Sequence, residues 1–254
     1  MRTAFFIFFE VNVYNEAKPF QGACEYDTIE IECLRKKGML LKREHLLRWA
    51  FYFVGLIVLA FGLSLTVKGK VLGIGPWDAF HYGLFQHFGL TIGQWSIIIG
   101  ALIVIFTSIF TKSFPKIGAL LNMVLIGVFI DFFNAVLPAP HGYLPALYVF
   151  ITGVVVSGYG VGIYVSANLG AGPRDSLMLL ISAKTGLNVQ WVRNGIELTV
   201  LLFAWMLGGP IGIGTILTAI FTGLVLRFSL PQSTRLLQLL ITKTAEKPVQ
   251  TLTR

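Results

Sequence analysis

The chain has 254 residues, of which 55% are hydrophobic and only 13% charged, about half the charged share of an ordinary soluble domain. That excludes a soluble globular class, and the absence of short period-two alternation excludes a β-barrel. A net charge of +8 would suggest nucleic acid in a soluble protein; here Lys and Arg gather at the ends of apolar runs, where they act as topology signals, and no nucleic-acid partner is expected.

Residues 1–47 read as a polar N-terminal segment on the cytoplasmic side, mixing the short apolar run Ala4–Phe9 with scattered acids and no clear period. The run is too short for a signal peptide, and Glu10 stands where small residues would precede cleavage. Residues 1–38 are suspected to be a start-site artefact, since Met39 opens a basic lead-in to the first span and Arg35–Gly38 could be encoded by a purine-rich, ribosome-binding-like tract. Cys24 and Cys33 are the only cysteines and imply neither a disulfide framework nor a metal site.

Six apolar spans follow, at about 49–67, 92–111, 117–137, 146–165, 191–207 and 211–229. Each is near the length a tilted membrane helix needs. The second has a start signal, since Thr91 with Gln94 three positions on forms a capping-box pattern, and Asn188 is the corresponding N-cap candidate later in the chain. After the last span, 231–254 is a cytoplasmic tail in which 235–241 could form a short interfacial helix, with the closing residues expected to be disordered.

Two short glycine-rich stretches organise these spans. Residues 73–78 read Gly-Ile-Gly-Pro-Trp-Asp, and 97 positions on residues 170–175 read Gly-Ala-Gly-Pro-Arg-Asp. Downstream, Gly89-Leu90 matches Gly186-Leu187, Gln94-Trp95 matches Gln190-Trp191, Ile117-Gly118 matches Ile213-Gly214, Gly127 matches Gly223, and Asp131 aligns with Arg227. The chain is therefore a tandem duplication, with membrane repeats at 48–137 and 146–230. Three spans per copy is odd, so the copies enter the membrane in opposite senses, an architecture recurrent in secondary transporters. The expected fold is an all-α membrane protein with six transmembrane helices in two inverted three-helix repeats, each with a short helix started by Gly-Pro. Lys112, Lys116, Arg174, Lys184 and Arg193 fall on the side of both termini, which the positive-inside rule places in the cytoplasm of a bacterial plasma membrane.

In Gly75-Pro76-Trp77-Asp78 and Gly172-Pro173-Arg174-Asp175, Gly permits a tight turn, Pro suits the first helical position, and Asp complements the helix dipole. Such a segment can be a capped helix lying on the membrane surface, with Trp77, Phe80, Leu84 and Phe88 on one face and Asp78, Gln86 and His87 elsewhere. It can equally be a re-entrant half-helix, and glycine-interrupted segments at equivalent places in two halves point to a transport site. These eight residues are the candidate substrate-binding set. The two acids offset the helix ends, which favours a cationic or zwitterionic cargo over a plain anion.

Asp131, about 6 Å beyond its span centre, and Glu197 are secondary candidates, because intramembrane acids tend to line interiors or aqueous paths. For Glu197 the preferred reading is a local ion pair with Arg193 at i−4, and Arg227 is read as an interfacial snorkeller. His81 and His87, six apart, do not share a helix face well enough for a metal site; a proton relay through either is a weak alternative. Neither a metal nor a cofactor is expected. H-E-x-x-H and G-x-S-x-G are absent, and so is any phosphate loop at 208–215, so enzyme activity is not expected.

At residues 73–81, 170–178 and 208–215 the chain resembles the YczE/YyaS/YitT family of bacterial integral membrane proteins, on the YczE-like side. The resemblance covers about 45–230. It implies no assigned biochemical activity; some members look like accessory factors for secondary-metabolite production, and the soluble C-terminal domain of YitT-type relatives is missing. Two functions stay open: a transporter of an unknown small solute, or a non-transporting membrane scaffold or regulator supporting a cytoplasmic biosynthetic process. The partners expected are the lipid bilayer and that solute, and a single copy and a homodimer both stay open.

Overall fold

The computed structural model describes residues 27–250 apart from 113, 116 and 171, and the side chains of 42–243 apart from those three and 190. The run Ala4–Phe9 and Cys24 therefore lie outside the described residues. Among the described residues, 47–239 form one compact unit, and those on either side of it belong to another.

The described residues are helical, in eight α-helices and one 3-10 turn at Lys70–Leu72: α1 (Asp27–Lys68), α2 (Pro76–Phe88), α3 (Ile92–Thr111), α4 (Ile117–Val136), α5 (Tyr143–Ser166), α6 (Pro173–Thr185), α7 (Val189–Met206) and α8 (Ile213–Gln250). Two differ from expectation. α1 is helical from Asp27, well before its apolar stretch, and α8 runs unbroken to Gln250, so 235–241 continues the last span instead of forming a separate surface helix, and the stretch to 250 is ordered into it. Pro231 sits inside α8 without ending it, although proline removes a hydrogen bond and bends a helix.

Among the described residues, five helices are long and apolar enough to cross a membrane: Lys42–Lys68, Ile92–Thr111, Ile117–Val136, Tyr143–Ser166 and Ile213–Lys243. The chain is thus a multi-pass membrane protein. α7 is not among the five; it has 18 residues and carries Arg193 and Glu197. Leu102, Ile105 and Ile109 on α3 and Ile216, Ile220 and Leu224 on α8 are exposed, which suits a hydrocarbon solvent as it would not suit water.

Small residues set the packing, as they do where no hydrophobic force separates helix from lipid. α1 and α5 run antiparallel at backbone contact: Gly55 against Tyr164, Leu59 against Gly160, Gly62 against Ser157, and Thr66 against Gly153. On its other face α5 presents Gly158 and Gly162 to Val225 and Ser229 of α8, where the Ser229 hydroxyl donates to the Gly158 carbonyl over 2.9 Å. α3 and α4 form a tight antiparallel hairpin through Gly93 and Gly127. The short helices cross over: α2 packs on α7 and α6 packs on α3. The loops match this exchange, with Gly73 against Gly212 and Gly118 against Leu169. Gly73 and Gly170, which precede the two short helices, hold φ of +91° and +146°, backbone that a side chain would strain.

Candidate functional site

Each short helix begins the same way. Gly75 and Gly172 are the N-caps, Pro76 and Pro173 open the first turn, and Asp78 and Asp175 stand in it. The Asp175 carboxylate accepts from the Gly172 N–H, and an Asp78 oxygen lies beside Gly75, so each acid turns back onto its own helix start. Anionic charge there is stabilised by the helix dipole and the unpaired N–H groups. A span supports each start from the side. Asn122 of α4 lies against Gly172 and Thr218 of α8 against Gly75, where a methyl on either glycine would come within 3.4 Å.

The two starts meet. The Arg174 guanidinium lies over the Trp77 ring, 4.6 Å from its centroid, a cation–π geometry that strengthens away from water. Asp78, Asp175, Tyr164 and Glu197 are all near enough to act electrostatically on Arg174. The first-copy helix buries two of its polar residues, Asp78 at 6% exposed and His81 at 1%, while Gln86, His87 and Phe88 at its far end are exposed. This differs from the surface-helix pattern, in which Asp78 would look outward. His81 lies 6.5 Å from the Trp77 ring, and neither of its ring nitrogens has a hydrogen-bond partner among the described residues. Asn122, 5% exposed, has an equally unpartnered amide nitrogen. Buried polar groups left unpaired cost about 1–3 kcal/mol each, so such a cluster calls for an explanation.

Tyr52 and Tyr164 wall the cluster from α1 and α5, with rings 6.3 Å apart and edge to face. The Tyr52 hydroxyl donates to the Gly118 carbonyl at the start of α4.

The secondary candidates fall elsewhere or serve other ends. Asp131 accepts from the Thr91 hydroxyl and from the Gly93 N–H at 2.8 Å, so it caps α3 from the neighbouring helix. Thr91 and Gln94 complete the capping box there, each bond 3.0 Å. Arg227, its counterpart in the second repeat, is exposed. Glu197 pairs with Arg193 over 2.9 Å on α7. His87 lies away from the cluster, with Nδ1 3.1 Å from the Gly83 carbonyl. All eight signature residues therefore fall at one meeting point, while Asp131 does not. His81, Asn122, Tyr52 and Tyr164 join the site without having been singled out as binding groups. A lone amide in an apolar span was the available signal for Asn122.

Residues 46–231 match the model of a family of unknown function, DUF6198. The chain is 75% identical over 197 residues to the uncharacterized membrane protein YczE of Bacillus subtilis, covering 78% of this chain and 92% of that one. It is 31% identical to the uncharacterized protein YyaS of the same organism, over 73% of this chain and 93% of the relative. An uncharacterized protein of Haemophilus influenzae is 30% identical, over 72% and 86%. No solved structure matches.

Proposed function

On the premise that the chain belongs to the DUF6198 family with its YczE-like membrane proteins, we propose that it is a six-span, inverted-repeat transporter of a small solute, with its site where the two Gly-Pro-x-Asp helices meet. Trp77 and Arg174 hold the same rank in the two copies, and their contact carries the reading. Equivalent residues of two copies that are related by a two-fold axis touch each other where they lie beside that axis.

The helix pairs support the same axis. Shifting by the 98 positions that relate Gly62 to Gly160 turns the pair Gly62–Ser157 into Leu59–Gly160, and Thr66–Gly153 into Gly55–Tyr164. The crossed packing of α2 on α7 and α6 on α3 exchanges in the same way. α7 serves as the remaining span: Trp191 and Trp205 are 71% and 70% exposed near its ends, about 21 Å apart at helical rise, as interfacial belts require. α2 and α6 are then re-entrant, entering from opposite sides of a bacterial plasma membrane whose cytoplasmic face holds both termini.

A scaffold has no use for a buried imidazole and a buried amide without partners, which favours transport over that alternative. The test is thiol accessibility in a chain with Cys24 and Cys33 replaced by serine. Single cysteines at Leu90 and Leu187, equivalent exposed positions after the two short helices, react with a membrane-impermeant maleimide from opposite faces, while a single cysteine at Ser176 reacts more slowly when a solute fills the site. Labelling of Leu90 and Leu187 from one face refutes the inverted arrangement; no labelling of Ser176 from either face refutes a water-accessible site.

A further inference from the structure

We infer that the ligand of this site is a small zwitterion of the α-amino acid class, bound by its carboxylate to Arg174, His81 and Asn122 and by its ammonium to Asp78 and Asp175; this rests on the preceding placement of the site. Charge comes first. Asp78 and Asp175 contribute two negative charges and Arg174 one positive, while the starts of α2 and α6 contribute about +0.5 each. The sum is about zero, and Arg193 with Glu197, which lie near enough to act on Asp175 and Arg174, pair with each other and leave it unchanged. In a region shielded from water, a ligand of net charge would go uncompensated at large cost. A zwitterion adds none.

The unfilled hydrogen-bonding groups then give the ligand its polarity. The Asn122 amide nitrogen donates, and the His81 ring carries one donor and one acceptor, all without partners among the described residues. The Arg174 guanidinium carbon lies over the Trp77 ring, and a guanidinium offers paired N–H groups, a fork that fits a carboxylate in two bonds. Donors therefore predominate on the side of Arg174, which calls for an acceptor-rich group. The two carboxylates on the helix starts supply the complementary anionic surface for an ammonium. A plain carboxylate would leave the acids facing an added negative charge, and a plain amine would leave Arg174, Asn122 and His81 unfilled.

The experiment uses the full chain, purified into lipid nanodiscs, and follows its melting temperature with each of the twenty common L-amino acids added singly. The best ligand is compared with its deaminated acid and its decarboxylated amine at ten times the concentration. One or more amino acids raise the melting temperature by several degrees, and neither analogue does. Arg174→Lys, which keeps the charge and loses the fork, raises the half-saturating concentration at least tenfold, and His81→Gln raises it less. Each variant's melting temperature without ligand reports its folding separately.

No shift with any amino acid overturns the inference, and so does an equal shift with the acid or the amine alone. Radiolabelled uptake into proteoliposomes separates the two proposals. Binding without uptake sustains the ligand class and removes transport; uptake of another solute that depends on Asp78, with no amino acid bound, does the reverse.

Discussion

Gly127 and Gly223 hold the same place in the two repeats, yet alanine at each should act with opposite sign. At Gly127 an added methyl would lie 2.6 Å from the Gly93 carbonyl oxygen and 2.4 Å from the Ile97 side chain. Ile97 can turn away; the carbonyl of a packed helix cannot. Contacts below 3.0 Å are essentially unknown for a real Cβ, so α3 and α4 must part by about 0.4 Å or more. That strains the bonds from Thr91 and Gly93 to Asp131. Forced overpacking of this kind costs about 1–3 kcal/mol. At Gly223 nothing lies within 4 Å, and alanine gains only helix propensity, up to about 0.5–1 kcal/mol. The propensity gain is common to both sites and cancels in the difference. The two variants should therefore differ by about 1–3 kcal/mol, or about 5- to 150-fold in the unfolding equilibrium. Titration of the purified protein with SDS in mixed micelles, followed by far-UV and tryptophan signals, measures this. Equal shifts for Gly127→Ala and Gly223→Ala would refute the close approach at the α3–α4 hairpin.

Asp131→Ala removes the acceptor of the Gly93 N–H and the Thr91 hydroxyl and should destabilise by about 1–3 kcal/mol in the same titration; a neutral result would remove Asp131 from its capping role. Glu197→Gln breaks an i,i+4 pair with both partners partly exposed and should change stability by less than about 0.5 kcal/mol, so a larger loss would assign that acid a place in the central cluster. Asp78→Asn and Asp175→Asn should each abolish solute flux in proteoliposomes while expression and size-exclusion behaviour stay normal. Unaltered flux in either variant would refute a role for that acid, and a scaffold would instead be sensitive on its cytoplasmic surface, near Lys112.

Much of this was legible in the residues, for definite reasons. The recurrence of Gly-Pro-x-Asp survives in sequence because a turn with φ near +91° at Gly73 and a helix opened by proline tolerate few alternatives. Thr91 with Gln94 and Arg193 with Glu197 interact within one helix turn, so spacing alone revealed both. Contacts across the fold were hidden. That Asp131 caps α3 depends on two helices touching at Gly93 and Gly127, which no local pattern encodes. The burial of Asp78 and His81 was likewise invisible, since the apolar face of α2 suggested the opposite orientation. The helical state of α1 before its apolar stretch escaped because it has no hydrophobic period to betray it. α7, expected as a span at 191–207, carries Arg193 and Glu197 and is not among the five helices apolar enough to cross a membrane.

The crossing of α2 onto α7 and α6 onto α3 makes each half a lodger in the other. A fragment ending after α4 would keep α2 against α3 but lose its larger contact with α7, so the halves should accumulate best when produced together. On the proposed inverted arrangement, an unduplicated forebear would face the same demand and meet it by inserting its product both ways up and pairing the two forms.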